Sequence, residues 1–192
     1  MEEWLARRPA RTEAGELGTW LLAAPELGPP PVPTLHPYAR EVLAAGPDLE
    51  LMVARWRPGP GTPPHDHGDS LGVVRIVRGR ALHRTFEVEL GVLRERSATE
   101  HGPGELLVVP AGVLHAVRPI GEDLVTLHAY VGPIADMLVL DPARPSTVRV
   151  RGGAGAWLPA RAEDVLGTSA AYEVRGAGPA CPRSPGAPRR GP

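Results

Sequence analysis

One stretch decides the fold: Gly59-Pro60-Gly61-Thr62-Pro63-Pro64-His65-Asp66-His67. His65 and His67 are separated by one residue, so in an extended strand both rings project from the same face. A run rich in Gly and Pro leads to them, and the β-branched segment Val73-Val74-Arg75-Ile76-Val77 that follows predicts a strand. Histidine is the commonest metal ligand, and two imidazoles on one face form half of a metal site. The alternative is a polar turn with two exposed histidines.

A second motif follows later in the chain: Gly104-Glu-Leu-Leu-Val-Val-Pro110-Ala-Gly112-Val-Leu-His115. It predicts a short buried strand, a tight turn, and a second strand that directs His115 inward. The two glycines allow backbone angles that a Cβ would forbid, and the proline stiffens the turn. Three neutral ring nitrogens, from His65, His67 and His115, can therefore meet inside a small barrel.

Composition limits the classes of function. The chain has 192 residues, which fits one domain with a sizeable core, and its formal net charge is −1. This balance gives no general field for nucleic acid or an anionic membrane. No apolar run approaches the ~20 residues needed to span a bilayer, and the first residues do not resemble a signal peptide. A single cysteine, Cys181, excludes an internal disulfide. We expect a cytoplasmic protein with neither a nucleic acid nor a membrane as partner.

The chain divides into three parts. Residues 1–34 are expected to form a helical segment, interrupted by Pro9 and ending before residue 25, and then a Pro-rich connector. Residues 35–170 are expected to form the barrel. Residues 171–192 have no apolar period and are rich in Gly, Pro, Arg and Ser, so a disordered tail is expected there.

Short strands at regular intervals are predicted through the middle of the chain. Alternating apolar residues and turn signals place them at 49–56, 72–78, 80–89, 91–97, 105–109, 113–118, 124–131, 137–141 and 147–151. Spacing of about ten residues is typical of an all-β sandwich or barrel. The pattern of 38–45 fits a short helix and an extended arm equally, and 160–166 is expected to form one or two helical turns.

Three polar side chains alternate on the strand predicted at 124–131. Thr126, His128 and Tyr130 would share one face of that strand. A hydroxyl that holds a ring nitrogen, an imidazole and a phenol can form a hydrogen-bonded relay beside a metal. Alternatively, His128 bonds across strands and Thr126 is an ordinary strand former.

Taken together, the motifs resemble the cysteine dioxygenase family of thiol dioxygenases, within the cupin superfamily. The resemblance rests on the two histidine motifs, on Gly79, and on Tyr38 and Arg40 in the sequence Pro-Tyr-Ala-Arg, and it covers residues 36–131. It implies an all-β fold, a cupin-type double-stranded β-helix (jelly-roll) barrel. One feature departs from the superfamily: where cupins usually carry a glutamate, this chain has Leu71 and Gly72.

The resemblance also implies roles for the metal and substrate residues. A mononuclear ferrous iron, Fe(2+), would bind to His65, His67 and His115. Arg40 would hold the substrate carboxylate, and Tyr38 would help to place it. Alternatively, Arg40 forms a surface ion pair and Tyr38 packs in the core.

On the relay strand, the resemblance implies that Thr126 orients His128, which in turn positions Tyr130 near the iron. Eukaryotic members of the family have a cysteine that forms a crosslink to this tyrosine. Gly72 occupies that place here, so no such crosslink is expected.

The implied activity is the dioxygenation of L-cysteine by O2 to cysteine sulfinate, by a monomer or a weak homo-oligomer. A related group that acts on 3-mercaptopropionate has glutamine where Arg40 stands, so Arg40 favours cysteine. Three alternatives remain at this point: a dioxygenase of another small thiol, a Zn or Mn cupin isomerase, and a non-catalytic cupin for sensing or storage.

Other candidate residues are assigned no chemistry. His36, His83 and His101 fall outside both motifs and are expected to be ordinary surface residues. Asp66 lies between two candidate ligands, so its side chain is expected to point to the opposite face. Trp56 is expected to belong to the barrel core.

Overall fold

The computed structural model describes residues 1–9, 13–28, 30, 38–159 and 161–174. Two short helices precede a series of strands: α1 (Glu2–Ala6), α2 (Ala14–Leu22), β1 (Tyr38–Ala45), β2 (Leu49–Trp56), β3 (Gly72–Arg78), β4 (Ala81–Glu89), β5 (Val92–His101), β6 (Leu106–Val109), β7 (Leu114–Pro119), β8 (Leu124–Val131), β9 (Asp136–Asp141), β10 (Ser146–Arg151) and β11 (Val165–Ser169). Two 3₁₀ turns lie at Gly152–Ala154 and Ala162–Asp164. The predicted all-β fold with a small helical segment is confirmed.

The strands form two layers. One layer is a five-stranded sheet in the order β1-β2-β8-β3-β6. The other contains two three-stranded sheets, β5-β4-β7 and β11-β10-β9. His65 forms isolated bridges with His115 of β7 and with Val139 of β9, and so it joins these two sheets. The result is the cupin jelly roll, and the first histidine of the His-x-His motif sits at the seam of one layer.

Strands β2, β3 and β8 of the five-stranded sheet are largely buried on both faces, because the N-terminal helices pack on the outer side of the sheet. Alternate residues of β8, Val125, Leu127 and Ala129, share a cluster with the apolar residues of α2. The intervening residues of β8 face the barrel interior. Arg75 of β3 donates from Nη1 to the carbonyl oxygens of Leu21 and Ala24 at the end of α2, and this contact ties the helix to the sheet.

The segment 38–45, for which the sequence pattern favoured neither a helix nor an arm, is a strand. It forms β1 and pairs antiparallel with β2, with Tyr38 opposite Trp56 and Arg40 opposite Ala54. This pairing explains the conformation, because β2 offers an open edge whose backbone groups need partners. Both candidate substrate residues are thereby held on a regular element.

The end of the barrel differs from the prediction. A 3₁₀ turn is present within 160–166, but Val165 to Ser169 then forms β11, which pairs with β10. This edge strand is short and contains Gly167, so it carries little strand signal in sequence. Strand β5 also runs further than predicted, to His101, because it pairs with β4 along its whole length.

The turn around the second motif has the backbone predicted for it. Gly104 has φ of 85° and Gly112 has φ of 69°, angles in the left-handed region that a Cβ disfavours. Gly112 also donates its N–H to the carbonyl of Gly68, at 2.9 Å. The two histidine motifs are thus tied to each other by the backbone as well as by the rings.

Some predictions fall outside the described residues. His36 lies there, and so does 175–192, which holds Cys181 and most of the expected tail. The division at residues 34 and 170 stays a prediction. Within the described ranges, no helix has the length and the apolar character that crossing a bilayer requires.

Candidate metal centre

The two histidine motifs meet inside the barrel. One ring nitrogen from each of His65, His67 and His115 lies within 4.8 Å of the other two, and all three residues are buried. His65 and His67 come from the loop before β3, and His115 comes from β7. The backbones of His65 and His115 exchange two hydrogen bonds, of 2.9 and 2.8 Å, which fix the relative position of the two motifs.

Asp66 anchors the His-x-His segment to the neighbouring strand. Its Oδ1 accepts hydrogen bonds from the N–H of Leu138, at 2.8 Å, and from the N–H of Gly68, at 3.2 Å. The Asp66 side chain therefore faces β9, away from the cluster. Because consecutive side chains point to opposite sides, this anchor turns both flanking rings toward the barrel interior.

The hydrogen bonds indicate which nitrogen each ring offers to the cluster. His65 Nδ1 lies 3.0 Å from the Pro63 carbonyl, which can only accept, so the proton is on Nδ1 and the lone pair on Nε2. Nε2 of His115 lies 3.1 Å from Nε2 of His67. Three ring nitrogens within 4.8 Å of one another fit a metal ion, because a cation can accept all three lone pairs at once.

Burial keeps these imidazoles neutral. Loss of hydration lowers the pKa of His65 to about 4. Burial, reinforced by the neighbouring rings, lowers the pKa of His67 and of His115 well below the ordinary value. Metal binding requires deprotonated nitrogen, so the cluster offers its lone pairs without first having to lose protons at neutral pH.

The three alternating residues of β8 form a continuous hydrogen-bonded relay. Thr126 Oγ1 lies 2.7 Å from His128 Nε2, and His128 Nδ1 lies 2.9 Å from the Tyr130 hydroxyl. All three residues are buried. The Tyr130 ring stands edge-on to the His67 ring, with centroids 4.8 Å apart, so the relay ends against the cluster.

Trp56 gives the relay a direction. Its indole N–H donates to Thr126 Oγ1 at 2.8 Å. Among the described residues, the only acceptor for the Thr126 hydroxyl proton is then His128 Nε2, so the His128 proton is on Nδ1 and is donated to Tyr130. The Tyr130 hydroxyl proton then remains available to a group in the cavity that the relay and the cluster line. Burial raises the pKa of Tyr130 well above 10.0, so the phenol keeps that proton.

The same cavity brings Arg40 and Tyr38 to the cluster. It has a volume of about 40 Å³, and both residues line it together with the cluster and the relay. Arg40 donates from Nη2 to the carbonyl of Gly153, at 2.6 Å. Among the described residues, no carboxylate lies within ion-pair distance of Arg40. Tyr38 packs against Trp56, with ring centroids 4.6 Å apart.

The prediction that His83 is an ordinary surface residue is wrong. His83 Nε2 lies 3.1 Å from Nδ1 of His115, and the ring lines the cavity. Burial lowers the pKa of His83 to about 4. His101 is half-buried, and its Nδ1 lies 3.6 Å from a carboxylate oxygen of Glu105. Alternation along β4 places His83 on the inner face. Its contact with His115 depends on the register between β4 and β7, which the sequence does not reveal.

Two further contributions to the cavity could not be read from the sequence. The Gly153 carbonyl, which accepts from Arg40, is a backbone atom in a 3₁₀ turn, and Gly152, Gly155 and Ala156 form part of the cavity wall without any polar side chain. Trp56 was expected in the core. It is buried there, and it also lines the cavity and donates to the relay.

Several solved structures resemble the barrel. KdgF from Halomonas sp. has 18% identity, with 53% of this chain and 85% of that chain covered, and a TM-score of 0.44. A double-stranded β-helix protein from Klebsiella pneumoniae has 16% identity, 56% and 83% coverage, and a TM-score of 0.46. A cupin 2 conserved barrel domain protein from Leptotrichia buccalis has 21% identity, 49% and 40% coverage, and a TM-score of 0.41. Similarities at this level carry no argument about function.

The family comparison is more specific. The family model described as cysteine dioxygenase type I matches residues 34–142. The matched region contains the cluster, the relay and Arg40, and it covers more than half of the 192 residues. The chain therefore belongs to the cysteine dioxygenase type I family.

Proposed function

We propose that the protein is an iron-dependent thiol dioxygenase that converts L-cysteine and O2 to cysteine sulfinate. The reaction balances without a further reductant, because RSH and O2 together contain the atoms of RSO2H. One observation carries the proposal: a buried cluster of three neutral histidines shares a small cavity with an arginine that has no carboxylate partner among the described residues.

The cluster fits ferrous iron. Three neutral nitrogen ligands on one side leave positions for the substrate and for O2 on the other side. Because no ligand carries a negative charge, the ion keeps its full charge, which favours the thiolate over the thiol. Iron bound there would supply the redox chemistry by which both oxygen atoms are added to sulfur.

Arg40 is suited to the substrate carboxylate. The guanidinium has five N–H donors in a planar fork, of which the Gly153 carbonyl takes one and Met52 Sδ, at 3.9 Å from Nη1, takes another. The remaining donors can form two parallel hydrogen bonds with a carboxylate. A carboxylate would also compensate a half-buried positive charge, which makes Arg40 the residue that distinguishes an amino acid from an amine.

The relay would place Tyr130 as a hydrogen-bond donor beside the reacting atoms. Thr126 holds His128 in one tautomer, and His128 donates to Tyr130. The Tyr130 hydroxyl can then donate a hydrogen bond to negative charge on the oxygens or on sulfur. The proton stays on Tyr130, so the relay orients and stabilises the reacting groups and does not act as a base.

We further propose that the protein acts in the cytoplasm as a monomer or a weak homo-oligomer, with neither nucleic acid nor membrane as a partner. The formal net charge of −1 supports the absence of a nucleic acid or membrane partner, since the protein would attract neither phosphate backbones nor anionic lipids.

The test is metal analysis of anaerobically purified protein, with oxygen uptake and product identification for three thiols. Cysteine carries a thiol, an amine and a carboxylate, 3-mercaptopropionate lacks the amine, and cysteamine lacks the carboxylate. We expect one equivalent of iron, the highest kcat/KM for cysteine, and sulfinate formed with equal consumption of O2. A preference for 3-mercaptopropionate would refute cysteine as the substrate, and full activity without iron would refute the iron assignment.

A further inference from the structure

His83 makes a contact with the cluster that the proposed function does not use. It lies on β4, two residues from Thr85, which faces His115 across the β4–β7 pair. Its Nε2 is 3.1 Å from Nδ1 of His115, and the two rings are nearly perpendicular, at 71°. We propose that His83 is a positioning residue for the metal, which accepts a hydrogen bond from His115 and fixes the tautomer that presents Nε2. This inference rests on the proposed metal site.

The direction of the hydrogen bond follows from the atoms around His115. Its Nε2 faces Nε2 of His67 at 3.1 Å, so this edge of the ring belongs to the cluster. If Nε2 gives its lone pair to a metal, the proton must be on Nδ1. Nε2 of His83 is the atom that faces this proton, so it accepts, and His83 carries its own proton on Nδ1.

The three clustered rings differ in what holds them. The Nδ1 proton of His65 is donated to a backbone carbonyl at 3.0 Å. Nδ1 of His67 is buried and has no hydrogen-bond partner among the described residues. Within the part of the chain that the structure describes, His115 is the only one of the three whose Nδ1 has a side-chain partner, so a single substitution of that partner can release the ring.

The chemical type of this partner also matters. Metal-binding histidines are often held by a carboxylate, which makes the ring a stronger donor to the metal. A neutral imidazole accepts a proton more weakly, so His115 remains a modest donor. This is consistent with a site that has three neutral ligands and keeps the charge of the ion high. The chain contains neither Asn nor Gln, so no amide side chain could take this place.

A purely structural role for His83 makes different predictions. If the ring only fills the wall between β4 and β7, its removal lowers the stability of the metal-free fold and leaves the metal affinity of the folded protein unchanged. If it positions His115, its removal weakens metal binding and changes the ligand field. Metal affinity and spectroscopy therefore separate the two roles, whereas activity alone would not.

The experiment uses the metal-free full chain titrated with Co(II) against a competing chelator, with the visible absorption spectrum and the thermal midpoint of the metal-free protein. We expect His83→Leu to bind Co(II) about 10- to 100-fold more weakly, with a shifted spectrum. His83→Gln, whose amide oxygen can accept the same hydrogen bond, should recover most of the affinity. His101→Leu, a matched control on the adjacent strand, should bind like the wild type.

The inference fails if His83→Leu binds Co(II) as tightly as the wild type with the same spectrum, whatever its stability. If the leucine variant does not fold, His83→Phe, which keeps an aromatic ring without an acceptor, takes its place and should show the same loss. The proposed metal site fails separately, namely if the wild type does not bind Co(II) or if His115→Ala binds it equally well.

Discussion

Two groups of histidines share the cavity and differ in what their ring nitrogens contact. In the cluster, Nε2 of His115 faces Nε2 of His67 at 3.1 Å, and neither can be satisfied by the other in the tautomer that binds metal. In the relay, both nitrogens of His128 have partners within the chain, a hydroxyl at 2.7 Å and a phenol at 2.9 Å. In the metal-binding tautomers the cluster is complete only with an ion, whereas the relay is complete without one.

From this difference we expect the cluster to govern ligand binding and the relay to govern the rate of the reaction. We expect the groups with open partner positions, the cluster and the guanidinium of Arg40, to hold the ligands. The relay, which is closed except for the Tyr130 proton, is expected to act on the reaction after the ligands are bound. Substitutions in the cluster or at Arg40 should therefore weaken the binding of metal or substrate, whereas substitutions in the relay should lower kcat.

The largest effect on substrate selection is expected at Arg40. Arg40→Ala leaves the cysteine carboxylate without its charged partner, at about 2–5 kcal/mol for a desolvated pair. This corresponds to a loss of roughly 30- to several-thousand-fold in kcat/KM for cysteine. Cysteamine should be a poor substrate of the wild type and should lose little more in the variant. Equal losses for both substrates would mean that Arg40 supports the fold and does not contact the substrate.

A smaller effect is expected at the end of the relay. Tyr130→Phe removes one hydrogen-bond donor while it keeps the ring against His67. A hydrogen bond to a charged group contributes about 1.5–3 kcal/mol, so kcat should fall roughly 10- to 100-fold. Iron content should not change. If the variant lost iron to the same degree as activity, the relay would belong to the metal site, and the proposed separation would be wrong.

The closed relay also predicts how stability depends on pH. Burial lowers the pKa of His128 to about 3, below its ordinary value of 6.5. Between these two values the unfolded chain binds more protons than the folded chain, so the free energy of unfolding falls as pH falls. The contribution is about 1.4 kcal/mol per pH unit for one group.

The measurement is denaturant unfolding of the metal-free protein across this pH range, for the wild type and His128→Phe. The variant should show a slope lower by one proton, although the remaining buried histidines still contribute. The control is Val92→Phe, a substitution at an exposed position without a titratable group, which should keep the wild-type slope. Equal slopes for the wild type and His128→Phe would show that His128 is not held neutral by the fold.

The smallest effect concerns modification of Tyr130. A Cβ added at Gly72 would lie 3.1 Å from Cε1 of Tyr130, but glycine offers no sulfur for a thioether. We expect the Tyr130 peptide to have its unmodified mass and the enzyme to need no maturation. Mass spectrometry that found this peptide joined to Cys181 with the loss of two hydrogens would contradict this.

Much of this site could be predicted from sequence because local rules position it. The alternation of a strand places Thr126, His128 and Tyr130 on one face, and the two motifs each place histidines at fixed spacings. These residues depend on geometry within a few positions of the chain. The strands were predictable for the same reason, because their signal is an alternation within a short window.

The remaining features depend on pairing between distant segments. His83 meets His115 only because β4 pairs with β7 in one register, and a shift by one residue would turn His83 outward. Arg40 meets the carbonyl of Gly153, a contact that any residue at that position could provide. The conformation of 38–45 was set by the open edge of β2. Such contacts leave no pattern in a single sequence.

Iron content per chain, measured after anaerobic purification, tests the central claim most directly when His115→Ala and Tyr130→Phe are compared with the wild type. We predict that the wild type and Tyr130→Phe each carry one iron, that His115→Ala carries none, and that both variants are impaired in sulfinate formation. Iron retained in His115→Ala, or lost from Tyr130→Phe, would contradict the division between a ligand-holding cluster and a self-contained relay.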